Sequence, residues 1–477
     1  MELSQALIVV AIVAYLSMML LIGVYFSRKG SGKSSSDFYI GGRSLGPIVT
    51  AMSAEASDMS SYLLMGMPGL AYIAGIAEVG WTAIGLAVGT YLNFLFVAKR
   101  LRRYSSRIGA FTIPEFFSKR YGEKKHVLSL IAALIILVFF IPYTASGFKA
   151  VGTLFNSLFG MDYHAAMIAG AIVIISYTVL GGFLAVSTTD LLQSIFMTIA
   201  LIVVVFFGIG QAGGWSKVVE NASALPGYLD LTKGYLWATK EAGSFGFLNI
   251  VSTLAWGLGY FGMPHILLRF MAIRDEKELK VSRRIASVWA LISMIVAIII
   301  GIIGYSVSVA GIILAGILAA TMSTADSQLL AASSSVSQDL LTDYFGIQLD
   351  QRKTMLAARG TVVLIALIAL VLAWNPDSSV FRVVSFAWAG FGATFGPSML
   401  IALFWRRSNR QGAIAGMIAG GLMVFCWKYL IAPLGGVFAI YELLPAFLVT
   451  LIVNVAVSLA TPAPSHEVTD VFDSMSA

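Results

Sequence analysis

Charge is scarce in this chain. Of 477 residues only 12% are Asp, Glu, Lys or Arg, about half the density that an ordinary soluble surface carries. Hydrophobic residues make up 58% and the mean hydropathy is +0.87, which excludes a soluble enzyme, a coiled coil and a disordered adaptor and points to a polytopic membrane protein. Cysteine is nearly missing too: Cys426 stands alone in an apolar run, so there is no disulfide framework. The four histidines, His126, His164, His265 and His466, are scattered. They assemble neither a structural zinc site nor the acid/base cluster of an intramembrane enzyme. A phosphate-binding loop and a large soluble domain are also lacking, which excludes coupling to ATP.

What the chain has is long apolar runs. A crossing helix needs about 20 mostly apolar residues, and thirteen runs qualify: 5–27, 47–75, 76–98, 126–158, 163–181, 184–211, 245–268, 283–308, 310–334, 355–375, 378–404, 411–431 and 438–460. The first opens with Met1-Glu2 and has no small-residue cleavage site, so it reads as a retained helix rather than a signal peptide. The net charge of +7 could suggest nucleic acid, but its placement indicates topology instead. If the helices alternate, 25 of the 31 basic residues fall in the loops after helices one, three, seven, nine and eleven. The excess of basic residues puts that face in the cytoplasm, with the amino terminus outside and the carboxyl terminus inside. One junction resists this reading. Between Val309 and Gly311 no turn cluster or polar loop joins the two runs, although two crossings need a connection.

Polar residues at membrane depth are costly and mark function. The densest interruption is Ser53-Ala54-Glu55-Ala56-Ser57-Asp58-Met59-Ser60-Ser61, in the middle of the second run. Unwinding there frees carbonyls at the end of one half-helix and N–H groups at the start of the next, which suit a cation and a carboxylate. The alternative is a continuous helix whose serines bond back to carbonyls. Five crossings later Trp256-Gly257-Leu258-Gly259-Tyr260-Phe261-Gly262-Met263-Pro264 is broken by glycines and a proline. Its G-x-G-x-x-G spacing lacks the strand that a dinucleotide site requires. Paired broken helices in corresponding positions are the mark of an inverted-repeat transporter. A third cluster, Ala320 to Gln328, sets Ser323 and Thr324 side by side one turn beyond Ala320, where both hydroxyls can border a small cavity or simply bond back to the helix.

Gly41-Gly42-Arg43-Ser44-Leu45-Gly46-Pro47, Ala56-Ser57-Asp58-Met59-Ser60, Leu64-Met65-Gly66, Gly181 to Ser187, Trp256 to Gly262 and Met322-Ser323-Thr324 together resemble the sodium/solute symporter family over residues 5–460. The resemblance implies an all-α membrane protein of about thirteen helices, with two broken helices inside an inverted repeat of five plus five. It divides the chain into an extra amino-terminal helix and cytoplasmic loop (1–46), the first repeat (47–211), an external loop (212–244), the second repeat (245–404) and two carboxyl-terminal helices with a tail (405–477). It also implies sodium as the coupling ion and the only metal, held by the Ala56, Met59 and Ala320 carbonyls and the Ser323 and Thr324 hydroxyls. Asp58 is expected to tune sodium affinity. Solute is expected near Ser60, Ser61, Tyr143, Trp256 and Tyr260. Asp190, an acid within Ser187-Thr188-Thr189-Asp190, is a second-ion or exit-route candidate that could reach Ser323 or Ser327.

The chain departs from the family's proline carriers, which usually have Gly where it has Glu55 and Ser61 and Trp where it has Tyr62. A small zwitterion needs donors for its carboxylate, carbonyls or a ring face for its ammonium and an apolar wall. Ser60-Ser61, the carbonyls near Trp256 to Gly259, and the rings of Tyr143, Trp256 and Tyr260 offer these. Sodium-coupled uptake of a small amino acid, with L-proline first, is therefore the expected activity, across the plasma membrane and with no obligate protein partner. Uptake of another amino acid, a sugar or sialic acid is the alternative, and an ion channel a more distant one.

Overall fold

A computed structural model of the chain describes residues 3–29, 34–60, 62–306, 314–376 and 380–475. Ser61 and the junction around Val309 lie outside these residues.

Nineteen α-helices follow one another among the described residues. α1 (Leu3–Lys29) lies at the periphery, the short α2 (Ser35–Ile40) follows, and α3 (Pro47–Asp58) and α4 (Met67–Ala74) are the two halves of the first interrupted span. α5 (Ile76–Leu92) continues through a wider turn into α6 (Lys99–Arg107), and the short α7 (Ile113–Arg120) starts at Thr112, whose hydroxyl accepts the Glu115 N–H. α8 (Val127–Phe159) and α9 (Tyr163–Gln211) come next, then α10 (Trp215–Ser223) and a hairpin of β1 (Lys233–Leu236) with β2 (Glu241–Ser244). The second interrupted span is α11 (Phe247–Leu254), a 3-10 stretch over Ala255–Phe261 and α12 (Pro264–Ala272). α13 (Leu279–Ser306), α14 (Leu314–Ser334), α15 (Gln351–Leu372), α16 (Val380–Phe404), α17 (Arg410–Cys426), α18 (Leu443–Ala460) and α19 (His466–Asp473) complete the chain.

Nine helices among the described residues are long and apolar enough to cross a membrane. The runs at 163–181 and 184–211 are the two arms of α9, whose 49 residues, about 74 Å at 1.5 Å per residue, exceed one crossing of an apolar core of about 30 Å. It bends at Gly182, where φ is 56° and ψ is −151° and an added Cβ would meet Phe38 at 2.7 Å. Only glycine combines that backbone with that approach. Residues 212–244 are more ordered than an external loop suggests, and they add the hairpin to an otherwise helical fold. Ala222, Tyr228 and Tyr235 bury one another there, so the segment carries a small core of its own.

The interior is built around α16, buried along almost all of its length. On one side of it α5 meets the Ala255–Phe261 stretch backbone to backbone. A Cβ on Gly89 would lie 2.4 Å from the Gly257 carbonyl oxygen, and one on Gly257 would lie 2.1 Å from that of Gly85. These glycines hold the second break against α5 and fix where its aromatic rings point.

Candidate functional site

The polar run of the second span interrupts its helix. α3 ends at Asp58, and Met59 leaves helical geometry with φ −71° and ψ 38°. Helical structure resumes at Tyr62 and runs into α4, which has Pro68 in its first turn. The second span breaks as well, between α11 and Pro264, where α12 begins.

Four of the five oxygens expected to hold sodium, those of Ala56, Ala320, Ser323 and Thr324, come together. The Ser323 hydroxyl donates to the Ala56 carbonyl at 2.7 Å and to the Ala320 carbonyl at 3.1 Å, and the Thr324 hydroxyl donates to Ala320 at 3.1 Å. Ala56 and Ala320 are fully buried, as are Met59, Ser323 and Thr324 to within 3%. Thr324 keeps its bond back to Ala320, as a helical hydroxyl does, while Ser323 reaches across to α3. Carbonyl and hydroxyl oxygens within hydrogen-bond reach of one another, shielded from lipid, form the neutral shell that suits a hard monovalent cation. Both hydroxyl oxygens keep lone pairs for it.

Asp58 faces elsewhere. Its Oδ2 accepts the Tyr260 hydroxyl at 2.5 Å, and its side chain helps to line a small cavity of about 20 Å³ with Ser60, Tyr62, Tyr143, Trp256 and Trp388. In this conformation that is room for little more than one water-sized group. Its aromatic wall is organised: Trp256 stacks on Tyr62 with ring centres 5.3 Å apart and on Tyr441 at 4.8 Å, and Tyr260 meets Trp388 edge-on at 5.2 Å. The Trp388 indole donates to the Trp256 carbonyl at 2.9 Å, which ties α16 to the break. The Tyr143 hydroxyl reaches Ser60 at 3.5 Å. Of the residues expected to meet solute, the structure brings Ser60, Tyr143, Trp256 and Tyr260 together. Trp388 and Tyr441 join them without having been singled out in the sequence, because a single aromatic residue in an apolar run looks the same whether it faces lipid or a cavity.

Asp190 occupies a third setting. It lies well inside α9 rather than at a helix start, so it caps nothing. Arg269, which the distribution of basic residues places in a cytoplasmic loop, is instead 1% exposed and pairs with Asp190 at 3.1 Å. The apolar residues flanking Arg269 in α12 carry it into the protein, where a partner acid makes its burial tolerable. Its guanidinium also donates to Ser53 of α3, to the His265 carbonyl and to Ser327 of α14. Asp190 therefore approaches Ser327 through the arginine. Asp326, a further buried acid, accepts the Tyr177 hydroxyl at 2.6 Å and the Ser327 hydroxyl at 3.2 Å. One network of two carboxylates and one guanidinium so joins α3, α9, α12 and α14.

Comparison with known proteins agrees with this arrangement. The sequence model of the "Sodium:solute symporter family" matches residues 38–310 and 305–420, two stretches that meet at the junction lacking a polar loop. Sodium/proline symporters of Staphylococcus aureus strains USA300 / TCH1516 and JH9 are each 39% identical over 487 aligned residues, covering 95% of this chain and 93% of theirs. The solved substrate-bound, outward-open structure of a Na+-coupled sialic acid symporter superposes with a TM-score of 0.76 at 19% identity, over 95% of this chain and 97% of that one. A nucleobase-cation-symport-1 family transporter in a closed conformation gives 0.52 at 13% identity, over 93% and 98%. The fold is therefore that of sodium-coupled carriers, and the protein is a multi-pass membrane transporter, not an enzyme, with sodium as its coupling ion. By the match along its length and by its curated relatives, the chain belongs to the sodium:solute symporter family.

Proposed function

We propose that the protein takes up L-proline together with sodium by alternating access. The observation that carries this reading is the cavity itself: tyrosine and tryptophan rings around one carboxylate, Asp58, with no Lys or Arg among the residues that line it. An acid and ring faces attract an ammonium group, and flat apolar walls suit a compact ring. The relatives at 39% identity carry the name sodium/proline symporter. Sodium is assigned to Ala56, Met59, Ala320, Ser323 and Thr324, and solute to Ser60, Ser61, Tyr143, Trp256 and Tyr260. Asp190 and Ser327 are assigned to a second cation or to the exit route.

With α9 taken as two crossings, and α14 and each interrupted span as one, the chain makes thirteen. That count supports five-helix repeats at 47–211 and 245–404, an external amino terminus and a cytoplasmic carboxyl terminus. One sodium moving through 100 mV supplies about 2.3 kcal/mol, and a tenfold gradient adds about 1.4 kcal/mol. Together these support accumulation of roughly a few hundred-fold at one-to-one stoichiometry.

Uptake of labelled amino acids, sugars and sialic acid into proteoliposomes, with and without an inward sodium gradient, tests the reading. Sodium-dependent accumulation of proline is expected. Accumulation of a sugar or sialic acid that proline does not inhibit refutes the choice of solute.

A further inference from the structure

Beyond Ser60 and Tyr143, which close one side of the aromatic cavity, lies a second, smaller void between the first break, α8 and α14, with room for about one water-sized group. Its wall is polar: Ser146, Thr321, Thr324 and Gln328 face it along with Ser60 and Tyr143. Two of these groups are buried without a hydrogen-bond partner, the Thr321 hydroxyl and the Gln328 Nε2, at 1% and 0% exposure. Buried polar groups are almost always paired, so two left open at one void mark a ligand. Thr321 is the exception among its neighbours, for Ser323 and Thr324 on the same helix both bond back to Ala320. Gln328 is fixed from the other end, where its Oε1 accepts the Thr144 hydroxyl at 3.2 Å. That bond turns the amide nitrogen, a donor, towards the void.

We infer that this second void receives one carboxylate oxygen of the transported zwitterion, with Gln328 and Thr321 as its donors. The inference rests on the proposed uptake of an amino acid and divides its site into two ends. The carboxylate of Asp58 stands in the aromatic cavity and draws the ammonium there. The same charge repels the solute's own carboxylate, and the donor-lined void is the neighbouring space that accepts it. Ser60 and Tyr143 border both voids and sit where the two ends of one small molecule would join. Neither lining contains Lys or Arg, so neutral donors bind the anion and the site as a whole favours a zwitterion over a dianion.

The test compares L-proline with L-prolinamide, which keeps the ring and the amine but has no carboxylate. Both compete against labelled proline in proteoliposomes bearing the wild type, Gln328→Leu or Thr321→Val, an isosteric change that keeps the packing. Each variant should bind proline about ten- to a hundredfold more weakly, the range for a lost donor to a charged group. Prolinamide competition should be unchanged, so preference for the acid collapses. Gln328→Asn should retain part of it, and Gln328→Glu should lose more than Gln328→Leu, because it sets a second carboxylate against the first. Equal weakening of acid and amide, or wild-type preference in both variants, overturns the inference while leaving proline uptake intact. A wild-type protein whose solute has no carboxylate overturns this inference and the proposed function together.

Discussion

Asp58 and Asp190 are both buried acids in apolar helices, and their surroundings differ in one respect that sets their roles apart. Asp190 has a guanidinium: Arg269 pairs with it and ties it to three other helices. Asp58 has one neutral donor, the Tyr260 hydroxyl, and a cavity in front of it. A buried charge that is already compensated holds helices in register. One that meets only a phenol keeps its attraction for a cation that can enter. The first acid is balanced by the protein itself, and the second is left open to what the protein carries.

Removing the compensation should break this contrast most severely. Arg269→Ala leaves Asp190 and Asp326 buried with no partner cation and should cost about 3–5 kcal/mol, read as a lowered unfolding temperature in detergent and a loss of folded yield. The double variant Arg269→Gln with Asp190→Asn should recover most of it, which an isolated packing defect at Arg269 does not allow. The aromatic wall comes next. Trp256→Ala removes a ring stacked on both sides and Tyr260→Ala removes the donor to Asp58, so each should reduce proline uptake by about two orders of magnitude, at roughly 1.4 kcal/mol per decade. Tyr62→Ala, which removes one face of the stack, should reduce it less. Initial rates normalised to surface protein measure all three.

Asp58→Asn sharpens the comparison at smaller amplitude. It keeps the shape and removes the charge, so the concentrations of proline and sodium for half-maximal uptake should each rise about tenfold, as for loss of a charged hydrogen bond. Asp190→Asn, with Arg269 still present, should change solute affinity less than it changes stability. Wild-type sodium dependence in Asp58→Asn contradicts the role given to that acid. The smallest effect belongs to the sodium shell. Ser323→Ala and Thr324→Ala each delete one neutral oxygen and should raise the sodium requirement by about 1 kcal/mol, or roughly fivefold. If both hydroxyls serve only to bond back to the helix, neither variant changes sodium activation.

The sequence was most readable where it breaks its own rules. The polar run that begins at Ser53 and the glycines around Tyr260 interrupt apolar runs; α3 stays helical to Asp58 and breaks at Met59, and the second span turns 3-10 over Ala255–Phe261. The oxygens proposed for sodium came from the family resemblance, since the adjacent Ser323 and Thr324 taken alone read more readily as hydroxyls bonded back to the helix. The burial of Arg269 was not legible, because a basic residue near the end of an apolar run is the same letter in a loop and in a buried ion pair. Trp388 and Tyr441 gave no signal of their own, and Thr321 and Gln328 lay in the polar cluster of α14 without being singled out within it. Their roles depend on which face of α14, α16 or α18 meets the breaks, and long apolar helices with small amphipathic bias do not declare that face. The bend at Gly182, by contrast, falls in the gap between the runs at 163–181 and 184–211, where the sequence divides the two crossings.

The most direct test of the account is equilibrium binding to the purified protein, with proline titrated at zero and saturating sodium and sodium titrated at zero and saturating proline. Linkage requires the two couplings to be equal. The account predicts that sodium tightens proline binding by the same factor, about tenfold or more for a coupling above roughly 1.4 kcal/mol, by which proline tightens sodium binding. Proline affinity that is identical with and without sodium contradicts it.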